Sequence, residues 1–336
     1  MAEDKPVRAA NIFDVARLAG VSHQTVSRVL NGMPNVRPAT RERVEQAIAQ
    51  LRYSPSPAAR ALVTRRTRTI GLVTPSIADH GPASIAMHFA IAARAARYSV
   101  DAVSVPDGDP DAVRAAIENL LRQRVDAIVV VVVDIGVLEM IRGYELAVPL
   151  VASASQPRPS PRIVSLDQYR GARAAVRHLA ELGHTRILHL AGPARSPDAI
   201  ERVRGWKDEL AAHQLTLVDP VHGDWSARSG YEIGLTLEIP PGSAIFVGND
   251  QMSIGLFSAL RARGLTVPQD VSVVGFDDIP EAAYFHPPLT TVRQDFAALG
   301  QLMMQKALVE LEEGGGSTED TPIPTHLIVR ESTRQA

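Results

Sequence analysis

A chain of 336 residues with 45% apolar content, a formal net charge of −2 and no cysteine is too long for one ordinary core and too apolar to be disordered. Disulfide scaffolds and thiolate metal sites are excluded, and the longest apolar run, 127–133, is far too short to span a bilayer. With no signal-peptide pattern at the start, a cytoplasmic location and no membrane partner are expected. The small net charge hides a division. Through Arg68 there are twelve Lys or Arg against five Asp or Glu, and beyond it 23 against 32. A basic module precedes an acidic one, as expected when only the first meets phosphate.

In chain order, residues 12–31 read as two short amphipathic helices hinged at Gly20, the pattern of a helix-turn-helix. Phe13, Ala16 and Ala19 fall at helical spacing on the first helix. Ser22 suits the cap of the second, whose inner face is Val26, Val29 and Leu30. His23, Gln24, Ser27 and Arg28 are left on the outer side, near the end where a recognition helix meets base edges in a major groove. A third helix is expected from Pro38, buried through Val44, Ala47, Ile48 and Leu51, which completes a headpiece over 1–53. The Ser54-Pro-Ser-Pro57 break then opens a segment, 54–68, in which 58–63 has the pattern of a short hinge helix capped by Ser56. One or two turns are marginal alone, so this segment either folds on binding or is a plain linker.

From Thr69 onward, apolar runs at 70–73, 100–105, 127–133, 150–152, 187–190, 244–247 and 271–276 alternate with helical stretches. Runs apolar on both faces indicate buried parallel strands joined by right-handed crossovers, so the fold class is an all-α headpiece followed by a doubly wound α/β core. Ligands of such sheets bind at the carboxyl ends of the strands, where Asn249-Asp250 and Asp277-Asp278 fall. Asp107, Asp109, Asp111 and Glu118 stand at calcium-loop offsets, but Ala112 occupies the glycine position, and Asp109-Pro110 reads better as a helix start. His178, His184 and His189 read as packing residues. Of the Asp277-Asp278 pair, one is expected to face a ligand and one to be structural. No phosphate loop, nucleophile elbow or zinc motif is present, so neither enzyme activity nor a metal or other cofactor is expected.

The motifs in combination resemble the lactose/galactose repressor family of bacterial transcription regulators, from about Ile12 to Thr333. They are Asp14-Val-Ala-Arg-Leu-Ala-Gly-Val-Ser with Thr25-Val-Ser-Arg, Leu62, Ala191-Gly-Pro, Gly223-Asp-Trp-Ser, Asn249-Asp-Gln-Met, Val273-Val-Gly-Phe-Asp-Asp, Pro288-Leu-Thr-Thr and Arg330-Glu-Ser-Thr. The resemblance implies a periplasmic-binding-protein-like core over 69–336 that crosses between two subdomains three times. It places the N-subdomain at about 69–166 and 296–322, and the C-subdomain at about 167–295 and 323–333. It further implies an allosteric repressor that binds a pseudo-palindromic DNA operator and is controlled by a small sugar-like effector between the subdomains.

By the same resemblance, DNA contacts fall on His23, Gln24, Thr25, Ser27, Arg28, Asn31, Thr40 and Ala59, with Leu62 as a minor-groove wedge. Effector contacts fall on Arg202, Asn249, Asp277 and Gln294 as polar anchors, on Ile85, Trp225 and Phe296 as the apolar wall, and on Asp79 at the rim. Three departures concern the pocket: Ala154 stands where an aspartate is expected, Pro75 where a serine is, and Asp79 where an apolar residue is. In the recognition helix, His23 replaces a tyrosine. The chain ends at Ala336 without the leucine-rich tail of tetrameric relatives, so a homodimer is expected. A purine-type corepressor is the alternative effector class, and a sugar-binding transport protein the rival from another class.

Overall fold

Asn11 starts the first helix: its side chain accepts from the backbone N–H groups of Phe13 and Asp14, and Asp14 accepts in return from the Asn11 N–H at 3.0 Å. Helix α1, Ile12–Ala19, closes at Gly20, whose φ of 64° is the left-handed turn that a side chain would strain. Helix α2, His23–Leu30, begins on the Ser22 hydroxyl, which accepts from the Thr25 N–H at 3.2 Å. Helix α3, Pro38–Gln50, supplies Val44 and Ala47 to a core shared with Val15, Ala16, Ala19, Val26 and Val29. Phe13, expected inside, is 59% exposed. The buried arc of α1 runs through 15, 16 and 19, which turns position 13 outward, and its ring lies 5.2 Å from that of His23 on α2.

This computed structural model describes residues 10–30, 33–53, 66–76, 79–106, 108–156, 160–313 and 321–336. It divides into Met1–Thr67 and Arg68–Ala336. The expected hinge helix at 58–63 lies outside the described residues.

The second unit holds two α/β lobes. The first is built from β1 (Thr69–Pro75), α4 (His80–Ala95), β2 (Ser99–Val105), α5 (Pro110–Arg122), β3 (Ala127–Val131), α6 (Ile135–Arg142), β4 (Leu150–Ser153) and β5 (Ile163–Val164). Its five strands are all parallel, in the order β2-β1-β3-β4-β5. The second lobe follows with α7 (Gln168–Glu181), β6 (Ile187–Ala191), α8 (Pro197–Ala212), β7 (Val221–His222), α9 (Ala227–Thr236), β8 (Ala244–Val247), α10 (Asp250–Ala262), β9 (Ser272–Asp277), a 3₁₀ turn (Pro280–Tyr284) and β10 (Thr290–Arg293). The chain then returns to the first lobe for α11 (Phe296–Glu313) and ends in the second with β11 (His326–Ile328). The second sheet runs β11-β10-β9-β8-β6-β7 and is parallel except at its edge, where β11 pairs antiparallel with β10. The antiparallel edge strand is an addition to the expected parallel core and leaves the fold class as it was read.

Alternation along the strands explains the layers. In the first lobe Ala127, Val129 and Val131 join the core under α4 and α11, while Ile128 and Val130 join the one under α5 and α6. The second lobe repeats this, with Phe246 and Val274 on the α7–α8 side and Ile245, Val247 and Val273 on the α10 side. Helices α9 and α10 cross so closely that a Cβ at Gly255 would run into the Ala227 carbonyl and stand 2.5 Å from the Tyr231 nitrogen. Because the obstacle is backbone, Gly255→Ala should force the helices apart and cost roughly 1–3 kcal/mol. A urea midpoint equal to that of the parent protein would show that the crossing yields freely.

Candidate functional site

The headpiece presents one polar face. His23, Gln24 and Arg28 of α2 are exposed, and Thr25 and Ser27 beside them are half-buried. The face exists because Val26 and Val29 take the opposite side into the three-helix core. Thr25 also meets the capping hydroxyl of Ser22 at 3.0 Å, which fixes the first turn. Thr40 lies in the first turn of α3, half-buried. Asn31, Ala59 and Leu62 lie outside the described residues.

In the core, the carboxyl ends of both sheets open on one cleft, the place where sheets of this kind hold small molecules. The chain connects the lobes three times, beside Leu166, Gln294 and Ile323, and two of these crossings lie on the cleft wall. Asp79, Ile85, Arg202, Trp225, Asn249, Asp277, Gln294 and Phe296 all line it, so the residues named from the resemblance come together from loops far apart in sequence. Ala154 lines it as well, whereas Pro75 is not among the wall residues.

The second-lobe wall is a relay of hydrogen bonds. Arg202 Nε donates to Gln168 Oε1 at 2.9 Å, Gln168 Nε2 donates to Gln294 Oε1 at 2.7 Å, and Gln294 Nε2 donates to Asp277 Oδ1 at 2.7 Å. The ring closes where Arg202 Nη2 stands 3.6 Å from the same carboxylate oxygen, and Arg202 Nη1 donates to the Gly248 carbonyl. The guanidinium is clasped between the Phe276 ring, 3.9 Å from its centroid, and the Trp225 ring, 5.2 Å away. Burial lowers the Arg202 pKa and raises that of Asp277, and the opposite charge of each partner offsets part of this. A buried, fully connected polar network of this kind fixes its members before a ligand arrives.

Trp225 takes a φ of 73° and Asp277 one of 113°, both in the left-handed region, where non-glycine residues are strained and which functional sites favour. The indole fits only because residue 192 is glycine, since a Cβ there would overlap its six-membered ring. Asn249 caps α10 by accepting from the Met252 N–H at 2.8 Å and holds the Trp225 carbonyl at 3.0 Å, so it shapes the wall through backbone contacts. Asp278 does not line the cleft. It accepts from Arg293 and Arg330, each at 2.6 Å, and is the structural half of the pair.

Among the wall residues that went unmarked in the sequence are Gln168, Asp198 and Ser155. Gln168 is the second link of the relay. The one available signal was its place directly after Asp167, the capping residue of α7. Ser155 is buried and its Oγ has no hydrogen-bond partner among the described residues, an unmet demand worth about 1–3 kcal/mol to whatever ligand group meets it. Across the lobes, Arg195 makes a paired contact with Asp134 at 2.7 and 2.8 Å, and the His80 N–H donates to Gln251 Oε1 at 3.1 Å. The histidines noted above are structural: His178 bonds Thr333, His184 bonds Ser272, and His189 lies in the core. Asp109 caps α5 through the N–H groups of Asp111 and Ala112, while Asp107 lies outside the described residues.

Residues 11–56 match the family described as bacterial regulatory proteins, lacI family, and residues 176–333 match a periplasmic binding protein-like domain. The chain is similar to the lactose operon repressor of Escherichia coli (strain K12), 37% identical over 98% of this chain and 91% of that protein. Among solved structures it is similar to a lac repressor dimer bound to operator and the anti-inducer ONPF, with a TM-score of 0.88 at 34% identity, covering 97% of this chain and all of the other. It is also similar to a complex of the transcriptional regulator CelR with cellobiose, with a TM-score of 0.70 at 30% identity, covering 96% and 99%.

Proposed function

Since the chain belongs to the lacI family of bacterial regulatory proteins, we propose that it is a dimeric, sequence-specific transcriptional repressor whose operator affinity is set by a sugar or sugar-like effector held between the lobes of its core. The observation that carries this reading is the cleft, where a pre-formed guanidinium–amide–carboxylate relay faces Ile85 and Phe296 and stands beside Trp225. Such a wall matches the two sides of a saccharide. The planar fork of Arg202 and the Asp277 carboxylate suit neighbouring hydroxyls, and the rings suit a C–H face. The same pairing of Trp225 with Arg202 favours a saccharide over a purine corepressor, and the polar face of α2 has no use in a transport protein. The reading assigns the chain binding and no catalysis, and a place in the cytoplasm beside its DNA. No helix among the described residues is long and apolar enough to cross a membrane.

On this reading His23, Gln24 and Arg28 read bases, while Thr25, Ser27, Asn31, Thr40 and Ala59 hold the backbone and Leu62 wedges the minor groove. A two-fold dimer sets two such faces on the halves of a pseudo-palindrome. The effector acts by favouring one core arrangement, with a coupling of typically ~1–3 kcal/mol. The experiment is selection of an operator from random duplexes, then fluorescence anisotropy over a salt series with and without sugars. Operator affinity should fall steeply with salt. Gln24→Ala or Arg28→Ala should weaken operator binding by roughly tenfold to a hundredfold while leaving random-duplex binding nearly unchanged. Equal losses on operator and random duplex would overturn the base-reading assignment.

A further inference from the structure

Open α/β sheets turn helix N-termini toward the carboxyl ends of their strands, and those termini are the usual seats for phosphate. Five helices of the core place a capping or first-turn residue on the cleft wall: α4 through Asp79, α7 through Gln168, α8 through Asp198, α10 through Asn249 and α11 through Phe296. Each of these termini already carries an aspartate of the chain. Asp79 is the capping residue of α4, and Asp167 that of α7, accepting from the Arg170 N–H at 2.9 Å. Asp198 and Asp250 stand in the first turns of α8 and α10. At the start of α11, Asp295 accepts from the Ala298 N–H at 2.8 Å. The positive ends of α7 and α11 are therefore met by carboxylate hydrogen bonds from within the protein, the other three carry a carboxyl beside them, and α8 gives up a further donor because Pro197 at its start has no N–H.

The side chains on the wall tell the same story. Among the described residues that line the cleft, Asp79, Asp198 and Asp277 face a single cation, Arg202. That guanidinium donates to Gln168 and the Gly248 carbonyl and has the Asp277 carboxylate 3.6 Å away, so its charge is already balanced before an anion arrives, while its remaining N–H groups can still meet neutral hydroxyls. Besides Asp79, the polar groups of the first-lobe wall are the neutral hydroxyls of Ser153, Ser155 and Ser165, and that of Ser155 lacks a partner among the described residues.

Resting on the reading of the cleft as a sugar site, we propose that its effector carries no negative charge: the cleft takes a neutral or amino sugar and rejects the phosphorylated or acidic form of the same sugar. Like charges brought together in a desolvated site repel strongly, and among the described wall residues the one cation, Arg202, is already balanced by Asp277.

The test is titration calorimetry of the full chain against matched series of hexoses, hexosides and disaccharides, each with its amino, phosphate and uronate counterparts. Binding is expected in the neutral or amino series, with the phosphate and uronate of the same sugar weaker by about a hundredfold or more. In Asp198→Asn that ratio should shrink by roughly tenfold. A phosphate or uronate binding as tightly as its parent overturns the inference and leaves the sugar reading standing. An unchanged ratio in Asp198→Asn overturns the electrostatic account, and no binding in any series overturns the sugar reading and this inference together.

Discussion

Arg202→Ala should abolish the response to effector and leave operator binding in place. The side chain is buried, and its removal deletes the first donor of the relay, the bond to the Gly248 carbonyl and the charge beside Asp277. Hydrogen bonds from a charged donor are worth roughly 1.5–3 kcal/mol each, so losing two to neighbouring effector hydroxyls should lower effector affinity by more than about a hundredfold. The headpiece core lies elsewhere in the chain: among the described residues it is made of positions up to Tyr53. Arg202→Lys should recover part of the affinity at most, since one ammonium cannot hold the Gln168 and Gly248 oxygens in the geometry of a fork. Calorimetry with the effector and anisotropy with operator give the two readouts. Loss of operator binding together with a collapsed melting transition would make Arg202 a structural residue.

The second large effect is on acid stability, through His189. The ring is fully buried, stacked on Phe246 with centroids 4.5 Å apart, and its Nδ1–H donates to the Phe246 carbonyl at 2.9 Å. Burial outweighs that bond and pushes its pKa down to about 3, so the imidazole stays neutral in the folded protein. In the unfolded chain it titrates near 6.5. Its contribution is therefore fully present above that pH. It is lost as pH falls toward 3, at up to ~1.4 kcal/mol per unit, because the unfolded chain binds a proton that the folded one refuses. Asp250 works in the opposite sense: its burial raises a carboxyl pKa and favours the folded state in acid. The comparison must therefore be between proteins that share it. His189→Asn keeps a donor for the Phe246 carbonyl and removes the titration. Between pH 7 and 4.5 the parent should lose roughly 2–3 kcal/mol more than this variant in urea unfolding. Parallel pH profiles would refute the role.

The long strands were legible because runs such as 127–131 and 244–247 are apolar on both faces, and only a strand covered on both sides has that pattern. The strands that escaped are short or polar. β5 and β7 have two residues each, and β10 carries Thr290 and Thr291, whose burial rests on Ser332 and Asp250 supplying hydrogen bonds from distant segments. Phe13 misled because its spacing on α1 fits a buried stripe, while the neighbouring helices select the arc through Val15. In the cleft, aligned motifs pointed to Arg202 and Asp277, but nothing local marks Gln168, whose place between two charged partners depends on the lobe crossings.

The interleaving of the lobes also governs the order in which the protein can be completed during synthesis. Strands β1 to β5 leave the ribosome first, yet one face of their sheet is covered by Phe296, Leu299, Met303 and Met304 of α11. Between β5 and α11 the whole second lobe through β10 must be translated, an interval on the order of ten seconds at bacterial elongation rates. Throughout it Ile70, Val129 and Val151 lie under an unfinished roof. The headpiece has no such delay, since the described residues of its core all lie at or before Tyr53. A nascent chain should therefore carry a finished headpiece on an unfinished body, and the apolar face awaiting α11 is where a chaperone would be needed.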